Sequence, residues 1–454
     1  MTSKPKQVSE STEHSDDEQQ SDSLSNDLVV TKYATAADIV NFALKEIIKE
    51  VKSGVEVGFL CDLGNKIIED RVSKIFKKEK ELQKGIAMPT CISVDNCICH
   101  YSPLRSDPPV CLKDGQMVKI DLGAHVDGFV ANVAHTVVVG ATHDNKVVGN
   151  KANVMLASYH AMEVVLRMLR PGLYKNFQIT DMIDRIAAVY SVKPIENVLS
   201  HQLEKNKIDG GKEIIQNPGE KQKELPKCTF EKHEAYAIDI MMSTGDGRAR
   251  PQDARTTVYK KAEDIYSLKM KTARIFYSQA TNKYGSMPFT LRSFEDEKQA
   301  KLGVVECERH GLLRPYQVLY ERDGEYVAQF KCTALIMPNG ILKITGLPLD
   351  MDLIESDVKI IDPEINALLT ASLKPKKKKN GGEKKADDKS AISNEENETK
   401  INTNKQLNTP NAGKDKGEKS SIADHANNKT AKKKNENEKK EDMKEVVRRE
   451  ERAK

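Results

Sequence analysis

Residues Met117 to Val139 read MVKIDLGAHVDGFVANVAHTVVV, and no other stretch restricts the fold as much. Two β-rich runs, Met117 to Ala124 and Phe129 to Val139, flank Asp127-Gly128, and such a dipeptide between apolar runs predicts an antiparallel hairpin. Successive side chains alternate across a strand, so Ile120 and Leu122 share one face and Asp121 takes the other. A loop centred on Val126-Asp127 puts Asn132 opposite Asp121, whereas one centred on Asp127-Gly128 puts it one pair away. The sequence leaves both registers open. In either, a carboxylate lies near an amide in mid-sheet. The plain alternative is a solvent-facing acid on a half-exposed sheet, because aspartates are seldom buried unless paired.

The chain of 454 residues is 31% charged with a mean hydropathy of -0.58, too polar to be folded uniformly. Residues 374–454 carry 24 Lys and Arg against 16 Asp and Glu, and residues 1–32 carry three Lys against seven acids and seven serines. This predicts a disordered acidic arm over 1–32, a near-neutral core over 33–373 and a disordered Lys-rich tail over 374–454. Within the arm, Ser15 before Asp16, Asp17 and Glu18 fits an acid-directed kinase as well as an unmodified arm. No apolar run approaches the ~18 residues of a membrane span, which predicts no membrane insertion, and the polar N-terminus lacks a secretory layout. Eight scattered cysteines then read as reduced thiols of the cytosol or nucleus. Cys91, Cys97 and Cys99 lack paired CxxC spacing and read as buried strand thiols before a zinc site.

Thr35 with Asp38 predicts a helix start, and Ile39, Val40, Ala43, Ile47, Ile48 and Val51 give it an apolar face. A second helix is expected from Val57 to Lys78. Residues 86–124 turn β-rich, and further helices are expected over Asn150 to Arg170 and Thr180 to Tyr190. Residues 251–315 are more charged and predict an inserted helical subdomain, with helices at Leu268 to Ala280 and Phe294 to Cys307. Strands follow at Tyr316 to Tyr320, Tyr326 to Met337 and Ile341 to Ile344, and a last helix at Pro363 to Leu373.

Polar residues recur in β-type surroundings at His100, Asp121, Asn132, His201, Asp239 and Lys331. The segments NCICHYSP (Asn96 to Pro103), KIDLGAHVDGFVANVAHTV (Lys119 to Val137), SHQ (Ser200 to Gln202), YAIDIMMSTGDG (Tyr236 to Gly247) and AQFKCTALIMP (Ala328 to Pro338) resemble, in order and spacing, the motif blocks of type 2 methionine aminopeptidases. The resemblance covers about residues 33–370. It implies a pita-bread α/β core, two α/β halves around a curved, mainly antiparallel sheet.

In that family two divalent metals are held by two Asp, a His and two Glu, with a further His beside the substrate amine. Carboxylates and imidazole suit hard cations that activate water. The resemblance places Asp121, His201 and Asp239 at ligand positions, Asp239 standing where the family has Glu, and His100 at the substrate side of a vestigial pocket. Asn132 stands for the second Asp and Lys331 for the second Glu. Asp209 stands where the family has a second-shell His. A lysine ammonium cannot ligate a metal, so Lys331 is expected to replace the metals in an ion pair with Asp121 and Asp239.

Both departures and the basic tail resemble the proliferation-associated branch of this superfamily, pseudo-peptidases that bind ErbB receptors. The resemblance implies a catalytically silent monomer without metal or other cofactor. It further implies an adaptor that binds RNA, including ribosomal RNA, and large ribosomal subunits, with signalling or transcriptional proteins as further partners, in cytoplasm, nucleus and nucleolus. The alternatives are a residual single-metal peptidase on Asp121, His201 and Asp239, and a non-cleaving binder of nascent N-termini. Lys374, Lys376, Lys377, Lys378, Lys379, Lys384 and Lys385, then Lys432, Lys433 and Lys434, form blocks suited to phosphate backbones or nuclear targeting, the alternative being a solvated tail. Lys269, Lys271 and Arg274, beside Tyr266, Phe276 and Tyr277, offer a second basic surface, although rings at helical spacing also serve cores. Ile365-Asn366-Ala367-Leu368-Leu369 resembles a coregulator-type helix motif.

Overall fold

The computed structural model of the protein describes residues 22–219 and 226–374. The expected arm through residue 21, and the tail lysines from Lys376 onward, lie outside the described residues. Helix α1 spans Asp27–Glu50, starting earlier than expected. Asn26 caps it by accepting the Leu28 N–H, while Thr35 lies inside the helix and donates its hydroxyl back to Thr31. The reason is apolar: Val29 and Tyr33 extend the buried stripe one turn at a time, so residues 27–32 belong to the core and not to the arm. Helix α2, Val57–Val72, stops short of the basic run at Ser73, whose N–H returns to Glu69. Lys84 then ties down the carbonyls of Ile75 and Phe76.

The sheet begins with β1 (Lys84–Val94), and β2 (Cys97–Cys99) pairs elsewhere. Strands β3 (Met117–Val126) and β4 (Phe129–Val138) form the hairpin, and Asp127 and Gly128 both take positive φ, as a two-residue mirror-image turn requires. Val126 therefore pairs with Phe129, which resolves the register in favour of the Asp127-Gly128 loop. Helices α3 (Gly149–Met168) and α4 (Asn176–Val189) follow, then β5 (Lys193–Pro194), β6 (Leu199–Leu203), β7 (Glu213–Ile215) and β8 (Ala235–Ser243).

After β9 (Arg250–Pro251) comes the insert: β10 (Val258–Lys261), α5 (Lys271–Tyr284), β11 (Phe289–Thr290), α6 (Glu297–Arg309) and β12 (Leu313–Tyr316). It is not purely helical as expected. Its two helices pack on a three-stranded sheet of order β11-β10-β12, whose central strand buries Val258 and Tyr259 and pairs with β11 on one side and β12 on the other. Arg292, 5% exposed, fastens the insert to the core by donating to the Asp62 carboxylate and to the carbonyls of Pro103 and Gly58. Strand β13 (Leu319–Tyr320), β14 (Val327–Met337), β15 (Gly340–Lys343) and α7 (Pro363–Thr370) complete the chain. The coregulator-like string lies on α7, where Ile365 and Leu368 are buried in the core and serve packing.

The main sheet has nine antiparallel strands, with the path β1-β3-β4-β14-β8-β6-β7. One of its faces carries two half-cores. Leu44, Ile47, Leu60 and Ile68 of α1 and α2 pack on Ile120 and Leu122, while Val165, Leu166 and Ile183 of α3 and α4 pack on Ile238, Ile240 and Phe330. Each such fully buried aliphatic side chain contributes about 1.5–3 kcal/mol. This is the pita-bread arrangement. No helix among the described residues is long and apolar enough to cross a membrane.

Candidate functional site

The opposite face of the sheet holds the polar residues singled out from the sequence. Register explains why they meet. Asp121 pairs with Ala134 across β3 and β4, Ala134 pairs with Lys331 across β4 and β14, and Lys331 pairs with Asp239 across β14 and β8. Directly paired residues project to one face, so the four form a row across four strands. Ala134 is the small member. Its methyl group lets the Lys331 stem pass over it, and the ammonium reaches Asp121 at 2.7 Å as well as Asp239 at 2.9 Å.

All three charged side chains are nearly inaccessible to water. Burial alone would drive Lys331 toward its neutral form. The Asp121 and Asp239 carboxylates outweigh that cost and hold the ammonium above the usual lysine range. Asp239 also accepts both Gln329 side-chain contacts, at 2.9 and 3.2 Å, and its backbone is latched to the Ser200 hydroxyl. Asp121 is less completely served: its second oxygen, Oδ1, is buried without a hydrogen-bond partner among the described residues.

Asn132 lies on the same face, opposite Gly123. Its main chain is held by the Thr333 and Thr345 hydroxyls, while its side-chain Oδ1 is also buried without a partner. A Cβ at position 123 would meet that oxygen at 2.1 Å, so a larger residue there would have to displace the Asn132 side chain. His201, on β6, sets its Nδ1 3.3 Å from the Gln202 carbonyl, and burial, then the Lys331 charge, lowers its pKa. His100 has φ of 64°, uncommon outside glycine, with Nδ1 3.0 Å from the Gln317 carbonyl and its ring edge-on to Tyr316. Burial pushes His100 down to about 4, with Lys331 adding to the effect, so the ring is neutral.

Asp209 is drawn off by an ion pair with Lys260 of the insert, and its charge acts on His201 from there. Of the polar residues named from sequence, the structure thus assembles Asp121, Asn132, His201, Asp239, Lys331 and His100 around one face, with Asp209 at its margin. Sequence reasoning overlooked Ala134, Gln329, Tyr316 and Lys260. Gln329 was the most accessible of these, since it stands two residues before Lys331 and so shares its face. The other three depend on long-range pairing.

A divalent metal does not fit this donor set. The Lys331 nitrogen has no lone pair to give while protonated, and it occupies the gap between the carboxylates. Among the described residues no group of three or more His, Cys, Asp or Glu is placed to hold an ion. What the arrangement can do is hold a charged, hydrogen-bonded network rigidly in the sheet.

The basic residues are dispersed. Lys374 is exposed at the end of the described chain, and Lys269 and Lys271 are exposed on the insert. Arg274 is committed to the carbonyls of Leu268 and Lys269. The expected aromatic partners are mostly occupied: Phe276 is fully buried in the insert core and Tyr266 stacks on His310 at 3.7 Å. Of the two readings of these rings, Phe276 takes the one in which helical spacing turns a ring into the core.

Residues 31–238 match the model of metallopeptidase family M24. A protein of Arabidopsis thaliana called ErbB-3 binding protein 1 is 45% identical over 366 residues, covering 80% of this chain and 90% of its own. Proliferation-associated protein A of Dictyostelium discoideum is 42% identical over 356 residues, covering 78% and 91%. Among solved structures, a thermophilic Arx1 superposes with a TM-score of 0.72 at 33% identity, covering 76% of this chain and 99% of that one. By these identities and coverages the chain belongs to the proliferation-associated family, which shares the fold of the M24 metallopeptidases.

Proposed function

We propose that the chain is a non-enzymatic RNA- and ribosome-binding adaptor on a degenerate methionine aminopeptidase scaffold, serving translation, ribosome biogenesis and cell growth in cytoplasm, nucleus and nucleolus. The observation that carries the non-enzymatic part is the Lys331 ammonium seated between Asp121 and Asp239. On this reading Asp121, Asn132, His201, Asp239 and Lys331 descend from a five-ligand metal site, with His100 left from its substrate pocket. Calorimetric titration of the metal-stripped chain with Mn or Co tests it. The natural chain is expected to take up no stoichiometric metal, and the double variant Asn132→Asp with Lys331→Glu to regain uptake. Tight uptake by the natural chain, with turnover of a Met-initiated peptide, would restore the single-metal peptidase.

The binding part rests on the exposed cations Lys269, Lys271 and Lys374 and on the lysine blocks that follow in sequence. Phosphate contacts release counterions, so RNA affinity should fall linearly on a log-log plot against salt. Replacing Lys376, Lys377, Lys378 and Lys379 by Glu is expected to weaken binding and to reduce the slope by up to about 3 for single-stranded RNA. An unchanged affinity and slope would reduce the tail to a solvated appendage.

A second reading has one observation in its favour. Among the described residues the buried acceptors Asp121 Oδ1 and Asn132 Oδ1 lack donors, and the ammonium of a nascent N-terminus would supply them. Binding of a free-amine peptide without cleavage, abolished by N-acetylation, distinguishes this reading from the first.

A further inference from the structure

A cavity of about 350 Å³ lies on the helix-covered side of the sheet, across the sheet from Lys331, where the two half-cores diverge. Ile48 and Val51 wall it from the end of α1, Val138 from β4 and Met155 from α3, and Leu349 and Leu353 from the strap that closes the chain across the seam. The strap is fixed rather than loose: Val147 and Leu353 share a main-chain hydrogen bond, as do Glu355 and Val147. The wall is apolar apart from Thr136, whose hydroxyl is committed to the Gln329 main chain, and two further places. At the first, His135 projects from β4 on the face it shares with Val133 and Val137. It is 6% exposed, its ring is edge-on to Phe330, and it borders the cavity. Burial, with help from the Lys343 charge, pushes it down to about 4, so at neutral pH it is an uncharged donor and acceptor. The second is Asp350, whose carboxylate also caps Asp352.

These observations specify an occupant. The volume lies in the range of small-molecule sites, which pair an apolar lining with a few oriented polar groups. The neutral imidazole can give or accept one hydrogen bond with a ligand hydroxyl or carbonyl. Among the described residues no lysine or arginine lines the cavity, and the Asp350 carboxylate disfavours anions.

We propose that this cavity binds a small uncharged molecule with an apolar body and a single hydroxyl or carbonyl, which bonds to His135. The site is separate from the Lys331 row and does not depend on the reading given to it.

The test uses the full chain and 1-naphthol as the probe, followed by calorimetry and by the ring ¹⁵N shifts of His135. Saturable one-to-one binding with a shift at His135 is expected. Naphthalene, lacking the hydroxyl, should bind roughly two- to tenfold more weakly, the worth of one net hydrogen bond. The anion 1-naphthalenesulfonate should bind more weakly still. His135→Leu should remove the difference between naphthol and naphthalene while retaining both, and Leu353→Trp, which fills the cavity, should abolish both. Should Leu353→Trp fail to fold, the His135→Leu comparison decides alone. Absence of saturable binding, equal affinity for naphthol and naphthalene in the natural chain, or an unshifted His135 would each overturn the proposal.

Discussion

Replacing Lys331 by alanine is expected to destabilise the folded chain by about 3–5 kcal/mol, the range for removing one partner of a buried ion pair. The cost comes less from the lost attraction than from what remains. Asp121 and Asp239 would face each other within the sheet with their shared cation removed, and Asp121 already has one oxygen without a donor. A lower urea midpoint with an unchanged m-value reports this loss. Because Lys331 is held above its ordinary pKa, its contribution is complete below ~10.5 and is lost only as pH rises through the higher folded-state value. The penalty should therefore be the same at pH 7 and pH 9. Combining Lys331→Met with Asp121→Asn and Asp239→Asn should recover most of the stability, since buried ionic groups are often replaced by neutral ones at little net cost. Full stability in Lys331→Ala alone would remove the row from the account of the core.

Acid should unfold the protein well before its carboxylates titrate. His125 and His135 are both buried, and burial pushes each down to about 4. Both are bases with depressed pKa, so the folded state keeps them neutral while the unfolded chain takes protons first, from ~6.5 downward. Stability is thus full above about pH 6.5 and falls as pH drops toward 4. The two extra protons these residues put on the unfolded chain contribute about 2.7 kcal/mol per pH unit through that window, and His100, likewise held down by burial, adds to the slope. Urea unfolding at pH 7, 5.5 and 4.5 measures it. The double variant His125→Gln with His135→Leu should lower the slope by that amount. Glutamine is chosen at 125 because the native ring accepts the Gly128 N–H at the hairpin turn. A profile as steep in the double variant as in the natural chain would assign the acid sensitivity elsewhere.

Much of the local structure was legible because local chemistry decides it. Asp127-Gly128 tolerates the positive φ of a two-residue turn, and the apolar spacing of Ile39, Val40, Ala43 and Ile47 leaves only one face to bury. Errors fell where competing local signals were close in strength. Thr35 is as good a cap as Asn26, and only the burial of Val29 and Tyr33 against the hairpin and its neighbours shows which one starts α1. The insert was read as helical because its two helices are long, whereas β11 is two residues and leaves almost no periodicity to detect.

The candidate site divides in the same way. Residue type alone gave each of Asp121, Asn132, His201, Asp239 and Lys331 an ordinary explanation; the resemblance of the motif blocks around them to type 2 methionine aminopeptidases set them apart, and a lysine ammonium among carboxylates argues against a metal. Sequence alone determined the hairpin and the amphipathic helices. The tertiary structure decided which groups pair: Lys331 meets Asp121 from 210 residues away, over a methyl group at Ala134 that no local pattern marks. Pairing between distant strands is selected by the simultaneous burial of both sheet faces, a property of the whole fold that no single segment carries.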